Sequence, residues 1–248
     1  MALLLFFSMT LCLLTGSLIY SKSFSRYFFA KVFTILSAKT FMDELRCHDL
    51  RHIQGRVLEI GPGAGGNFRC WENSTSIISW DAIEVNKHFE PSLKLEYVRR
   101  NLSFPTRVNW IEENGSGIDI ATGAYDVVVM THVLCSIPNI QPVLHTIDRA
   151  LKPGGTYYFL EHVASSPINS DHASLAFWQN LAAPILHIFG SGCQLKDTGA
   201  LLEAAATDPN GTLKGYSLNM TRFLAEMMPT PMKPHVVGTL SKPFLPVA

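Results

Sequence analysis

From residue 55 onward the chain alternates short apolar runs with stretches of helical period. Arg56–Ile60 (RVLEI) is apolar and β-branched and runs into glycine, which predicts a first strand. Asn67–Trp71 reads as the helix after it, Ser76–Val85 as a second strand, Lys87–Arg100 as a helix and Arg107–Ile111 as a short third strand. Tyr125–Thr131 (YDVVVMT) has the unbroken apolar run of a strand buried on both faces of a parallel sheet. Asn139–Leu151 predicts a helix stopped by Lys152-Pro153-Gly154-Gly155, with a fifth strand over Thr156–Val163. Helices are expected at Ala173–Phe189 and Lys196–Ala205, and two final strands at Gly215–Asn219 and His235–Leu240, joined by the Pro-rich loop Met228–Pro234. Strands alternating with helices and right-handed crossovers give a doubly wound α/β sheet. Such a sheet binds ligands beyond the carboxyl ends of its strands, beside strand one.

The N-terminus follows a different pattern. Residues 1–21 carry no charged side chain, and about twenty apolar residues in a helix match the thickness of a bilayer. A membrane helix is expected there. No Lys or Arg precedes it, which argues against a secretory leader. Lys22, Arg26, Lys31 and Lys39 follow it, so the positive-inside bias puts the remainder on the cytosolic side. Residues 24–42 either lie on the membrane as an amphipathic helix or pack on the domain. The division expected is an anchor and linker over 1–42 and a catalytic domain over 43–248. Asn-x-Ser/Thr sites at Asn73, Asn101, Asn114, Asn210 and Asn219 are the counterweight, since a luminal domain could be glycosylated at such sites.

Composition sharpens the partners. Lys+Arg and Asp+Glu are 20 each, so no net basic field attracts nucleic acid. The apolar excess, 47% of residues, needs a large core or a membrane segment to hold it. The five cysteines (Cys12, Cys47, Cys70, Cys135, Cys193) are scattered with no C-x-x-C pair. That predicts free thiols in a reducing compartment and no metal site. Cys135 and Cys193 read as packing thiols.

The turn after strand one, VLEIGPGAGGNF, carries the chemistry. Gly61, Pro62, Gly63 and Gly65 let the backbone approach a nucleotide closely. Gly61, Gly63 and Gly66 also satisfy G-x-G-x-x-G, so spacing leaves a dinucleotide and S-adenosylmethionine equal. Glu59 favours the latter. A carboxylate near the loop repels a pyrophosphate, whereas it attracts the ammonium of the methionine part, directly or through water. The alternative is a Glu59 paired with an Arg or Lys elsewhere. Glu84 lies at the end of strand two, where an acid accepts from both ribose hydroxyls, with Val85 and Asn86 flanking the adenosine. Asp81 is a competing acid but sits mid-strand. Glu112, Glu113 and Asn114 follow strand three, and Glu113 and Asn114 are taken as adenine contacts. Thr131 and His132 border the cofactor from the end of strand four.

The ordered set EIGPGAGG, IEVN, EEN, YDVVVMTHVLCSI and LKPGGTYYFLEHV resembles a class I S-adenosylmethionine-dependent methyltransferase over roughly residues 55–163. With the apolar N-terminus, FWQNLAAPILHIFGSGCQL and the terminal HVVGTLSKP, the chain resembles the methyltransferase-like protein 7 family along nearly its whole length. The resemblance implies a Rossmann-like seven-stranded sheet and S-adenosylmethionine as cofactor. It further implies methyl transfer to small alkyl or aryl thiols at the endoplasmic reticulum membrane or lipid droplets. The chain departs from that pattern in four places: Glu84 where Asp is usual, Pro62 where Cys is common, a glycine-rich stretch after strand three, and a lengthened Pro-rich segment before the last strand.

Methyl transfer to a thiol needs little activation, because a thiol ionises near 8.5. His132, at the end of strand four, and Glu161 and His162, at the end of strand five, are the catalytic candidates. The structural alternatives are a pocket wall for His132 and bracing of a neighbouring helix for Glu161 and His162. His187, Phe177 and Trp178 lie on an apolar helix as core or membrane-surface residues, the two aromatics also as possible walls of a greasy acceptor pocket. Two other functions fit the membrane segment: methylation of a lipid or quinone oxygen or carbon, and a non-catalytic lipid-droplet scaffold.

Overall fold

Strands Gly55–Ile60 (β1), Ile77–Glu84 (β2), Thr106–Trp110 (β3), Tyr125–Thr131 (β4) and Leu151–His162 (β5) form where apolar β-branched and aromatic residues cluster. The computed structural model describes residues 16, 21–37, 42–112, 118, 120–165 and 173–244. Two further strands, Ser217–Leu224 (β6) and Pro234–Ser241 (β7), complete one seven-stranded sheet in the order β3-β2-β1-β4-β5-β7-β6. The first five are parallel, and β7 runs antiparallel to both β5 and β6. This is the Rossmann-like seven-stranded sheet expected from the resemblance. The chain steps outward from β1 to β3 and then returns to β4 on the other side of β1. The order therefore reverses at β1, and a crevice opens there.

Side-chain alternation builds a core on each face. On one face Leu58, Val128, Met130 and Tyr157 pack with Leu144 and Ile147 of helix Gln141–Ala150. On the other, Val57, Val127, Val129 and Trp80 meet Phe68, Trp71, Leu50 and Leu93. Each such side chain contributes about 1.5–3 kcal/mol on burial, so the sheet rather than any one helix fixes the frame.

Two helices precede the sheet, Lys22–Ser37 (α1) and Asp43–Leu50 (α2). Those that follow the turn after β1 are Glu90–Arg99 (α3), Gln141–Ala150 (α4), Ala173–Phe189 (α5) and Thr198–Thr207 (α6). The strand expected from Thr156 begins instead at Leu151. Lys152–Gly155 ends the helix but continues as extended chain: between the pairs Tyr125–Leu151 and Val127–Thr156, β5 carries extra residues as a bulge. Residues 66–71 form a 3₁₀ turn rather than an α-helix. The helix expected over Lys87–Arg100 is a 3₁₀ turn, Lys87–Phe89, followed by α3. β6 is longer than expected, and the loop before β7 contains a short 3₁₀ turn, Thr230–Met232.

The segment expected to be a membrane helix, residues 1–21, lies almost wholly outside the described residues. Among the described residues no helix is long and apolar enough to cross a membrane. Of the two readings of residues 24–42, the described part, α1, packs on the domain. Ala30 is buried, and Phe29 and Phe33 meet Phe89 and Ala64.

The cysteine expectation needs correction. Cys47 on α2 and Cys70 in the 3₁₀ turn form a disulfide, so these two are not free thiols. Scattering along the sequence hid a pair that folding brings together. Arg69 donates to Asp43 at 2.9 Å, and Trp71 Nε1 donates to the Leu50 carbonyl at 3.0 Å, tying the same two elements. Closing a loop of this length constrains the unfolded chain by about 3 kcal/mol. The double variant Cys47→Ala/Cys70→Ala is expected to lower Tm by roughly 6–12 °C. A thermal melt of the full chain that matches wild type would show that the bond does not form.

Candidate methyl-donor and acceptor site

Gly61, Gly63 and Gly65 adopt positive φ of 71°, 55° and 83°, whereas Gly66 does not. A Cβ on Gly61 would come within 2.6 Å of a Val133 methyl. The glycines the loop requires are thus 61, 63 and 65. A phosphate-binding loop would run into an α-helix N-terminus, but here a 3₁₀ turn follows instead.

The loop is held from below by β2. Glu84 Oε2 accepts from Gly63 N–H at 3.0 Å, and Oε1 accepts from Val85 N–H at 2.9 Å and Asn86 N–H at 2.8 Å. Burial pushes the Glu84 carboxyl up, and these three bonds pull it back. Beside it opens a cleft of about 660 Å³, lined by Val85, Asn86, His88, Ile111 and Glu112 and walled on its far side by Lys22 and Arg26 of α1. Asn86 Nδ2 donates to the Arg26 carbonyl at 2.9 Å, joining the wall to the strand end.

Behind the loop, Glu59 is 1% exposed and accepts from Asn67 Nδ2 and Trp80 Nε1, both at 2.8 Å. Its partners are neutral donors, and the ion pair considered from sequence is absent among the described residues. Burial raises its carboxyl to about 7. Asn67 Nδ2 also donates to Thr131 Oγ1 at 3.2 Å, and Asn67 Oδ1 is buried with no partner among the described residues. Asp81, the competing acid, is engaged away from the cleft: it accepts from the Tyr125 hydroxyl at 2.7 Å and pairs with Arg107.

At the ends of β4 and β5 the sheet gathers three histidines. His132 sits at φ 58°, a left-handed conformation that a non-glycine residue holds only when its surroundings impose it. Glu161 imposes it in part: its Oε1 accepts from Val133 and Leu134 N–H at 3.0 and 3.2 Å, clamping the turn. Burial raises the Glu161 carboxyl to about 7. It braces the turn after β4 and not the helix considered from sequence. His132 Nε2 lies 3.2 Å from Nε2 of His235, the residue paired with His162 across β5 and β7. Burial pushes His132 well below its ordinary value, with His162 and His235 adding to it, and lowers His235 to about 4. Both are therefore neutral near pH 7. His235 Nδ1 is 2.9 Å from the Lys233 carbonyl, so it donates there and Nε2 is bare. His132 Nε2 must then carry the proton of the 3.2 Å contact, which leaves His132 Nδ1 an unprotonated acceptor. His162 Nε2 meets Cys193 Sγ at 2.9 Å. Burial would lower His162, but the bond to Cys193 and its charge outweigh that and raise it.

A methyltransferase-domain family model matches residues 32–204. Human thiol S-methyltransferase TMT1A is 32% identical, over 73% of this chain and 68% of that protein; human thiol S-methyltransferase TMT1B is 32% identical, over 75% and 70%. Among solved structures, an S-adenosylmethionine-dependent methyltransferase fold from Methanococcus maripaludis superposes with a TM-score of 0.58 at 15% identity, covering 88% of this chain and 94% of that one.

The chain belongs to the class I S-adenosylmethionine-dependent methyltransferases.

S-adenosylmethionine is the cofactor of this methyltransferase, and the residues present fit it. The unpartnered Asn67 Oδ1, with the Glu59 carboxylate behind it, suits an ammonium group. The Glu84 oxygens are acceptors suited to ribose hydroxyls, and the apolar Val85 and Ile111 flank the cleft beside them. The structure brings Glu59, Gly61, Pro62, Gly63, Gly65, Glu84, Val85, Asn86 and Thr131 to one end of the sheet. Glu113 and Asn114 lie outside the described residues. Sequence reasoning missed Asn67, Arg26, Ile111 and His235. Asn67 stood in the quoted loop but was read only as helix. Arg26 and His235 had no local signal, because one reaches the site from another helix and the other through strand pairing.

Two measurements test this methyltransferase site. Glu84→Gln is expected to weaken S-adenosylmethionine binding by about tenfold or more in calorimetry, the worth of a charge-assisted hydrogen bond; affinity within twofold of wild type contradicts the assignment. Glu59 makes the fold sensitive to pH. Its folded carboxyl holds a proton up to about 7, against 4.5 when unfolded. Stability is therefore full below 4.5 and falls as pH rises through 7. Glu59→Gln should remove its share of that fall, on the order of 3 kcal/mol, read as urea midpoints at pH 5 and pH 8.

Proposed function

We propose that this methyltransferase is membrane-associated and transfers the methyl group to small thiols. Residues 1–42 serve as anchor and linker, with α1 of the linker also walling the donor cleft, and residues 43–248 form the rest of the catalytic domain. One pairing carries the acceptor reading: relatives 32% identical over about three quarters of this chain are named thiol S-methyltransferases, and here strand β4 ends on a neutral imidazole whose Nδ1 is bare. A thiol near its own pKa needs only such a weak acceptor for its proton. The bound cofactor supplies an electrophilic methyl on a sulfonium that is already a good leaving group. The protein's part is to orient the acceptor, take its proton at His132 Nδ1 and exclude water. In this reading His132 is the base, Glu161 positions it through the clamped turn, and His162 and His235 set its environment. Glu113 and Asn114 complete the adenine side.

The membrane reading rests on the uncharged residues 1–21 and on an apolar face of α5. Phe177, Trp178, Leu181 and Ile185 are exposed along one side of that helix, which packs beside α1. Such a patch fits a bilayer surface. The site proposed is the endoplasmic reticulum membrane or lipid droplets, with the basic residues after the anchor favouring the cytosolic face. The Cys47–Cys70 bond supports a second reading, in which the domain faces an oxidising lumen. Protease protection of intact microsomes separates the two.

The activity is tested on membrane fractions given the methyl donor with small thiols, phenols and hydroxylated quinones side by side. Methyl thioethers are expected, with kcat for thiols about 10²-fold lower in His132→Gln and the donor KM little changed. Methylated quinone with inert thiols would replace the thiol reading by the quinone one. No transfer together with intact donor binding would favour a scaffold.

A further inference from the structure

Three soft ligand side chains meet beside the histidine cluster. Cys135 lies on the 3₁₀ turn Leu134–Ser136 after β4, His162 ends β5, and Cys193 sits on the loop between α5 and α6. Their Sγ, Nε2 and Sγ atoms all lie within 4.8 Å of one another, and the Nε2 to Cys193 Sγ distance is 2.9 Å. All three residues are buried, at 1%, 5% and 4% exposure. Leu195 and Leu186 pack around the two sulfurs. The loop is pinned where it must be for this. Gln194 N–H donates to the Cys135 carbonyl at 3.0 Å, and Lys196 Nζ donates to the Ile137 carbonyl and, at 3.2 Å, to that of Pro138. The same chain closes Cys47–Cys70 as a disulfide yet leaves Cys135 and Cys193 as free thiols side by side.

We propose that Cys135, His162 and Cys193 form a zinc site of Cys₂His type, with no fourth protein ligand among the described residues. Zinc bonds of about 2.3 Å to sulfur and 2.0–2.1 Å to nitrogen put tetrahedral ligand atoms ~3.6–3.8 Å apart. The three atoms are already grouped on that scale, so shifts of about an ångström would enclose the ion. Two sulfurs and an imidazole select zinc over magnesium or calcium, which take oxygen ligands. Three protein ligands and one vacant position are the arrangement of zinc sites that bind a reactant, while sites that only brace a fold are closed by four. A sulfur ligand suits the vacant position, and the small thiol acceptor is that ligand; this last assignment rests on the thiol reading above, whereas the metal site does not. The spacing of 27 and 31 residues between the ligands explains why no zinc motif is visible in the sequence.

The test is cobalt substitution in the full-length protein purified under reducing conditions in detergent micelles. One Co²⁺ per chain is expected, with sulfur-to-cobalt charge-transfer absorption and tetrahedral ligand-field bands. Each of Cys135→Ser and Cys193→Ser should lose that absorption, and Cys47→Ala/Cys70→Ala should keep it. Because a buried variant can fail to fold, the wild-type spectrum decides on its own. No stoichiometric cobalt band, or a Cys135–Cys193 disulfide in the non-reduced peptide map of the protein as isolated, overturns the site. Adding a small alkyl thiol should shift the cobalt bands. An unshifted spectrum overturns the acceptor assignment while leaving the metal site, and it does so independently of whether thiols are methylated in the activity assay.

Discussion

The carboxylate of Glu84 is the constraint on which the cofactor side depends. It collects three backbone N–H groups, from Gly63, Val85 and Asn86, that the turns after β1 and β2 would otherwise leave unpaired. A buried amide without a partner costs free energy comparable to a lost hydrogen bond, so both turns settle on this one side chain. The glycine loop then has a single position relative to β2, and the cleft between them a defined width. α1 closes that cleft from outside through Asn86 and the aromatic contacts of Phe29 and Phe33 with Phe89. A helix from the segment expected to be a linker thus becomes a wall of the donor site.

The acceptor side obeys a similar logic with different chemistry. Glu161 clamps the turn after β4, which helps hold His132 in a left-handed conformation. The antiparallel strand β7 brings His235 opposite His162 and into contact with His132. The loop before α6 adds Cys193. Polar groups so concentrated in a buried place cost stability unless they are partnered. His132 and His235, neutral and hydrogen-bonded to each other, meet that condition, and the bare Nδ1 of His132 is what the arrangement leaves available for chemistry.

Much of this was legible in the sequence for one reason: its signals are local. β4 reads directly from YDVVVMT, because a strand buried on both faces must be apolar throughout, and α5 from its long apolar stretch bounded by glycine. The glycine loop and the acid at the end of β2 were visible because donor binding needs backbone approach and an acceptor at a fixed interval. The misreadings were equally local. Lys-Pro-Gly-Gly looks like a terminator and does stop α4, but the same residues continue as extended chain, the bulge between the Leu151 and Thr156 pairings with β4. Asn67 was taken for a helical residue because nothing in its neighbours announces Glu59 and Thr131 as its partners.

The sequence by itself determined the alternation of strands and helices, the donor loop with its ribose acid, the family, and an uncharged N-terminal segment. These follow from periodicity, composition and motifs whose spacing is set within a few residues. Only the tertiary structure decided that Cys47 bonds Cys70, that α1 walls the donor cleft, that Glu59 turns inward to Asn67 and Trp80, and that Cys135, His162 and Cys193 meet. Each of these joins residues 20 or more positions apart, or selects which neighbour a buried polar group takes. Strand order, pairing register and the direction of β7 create those encounters, and they exist only once the sheet has formed.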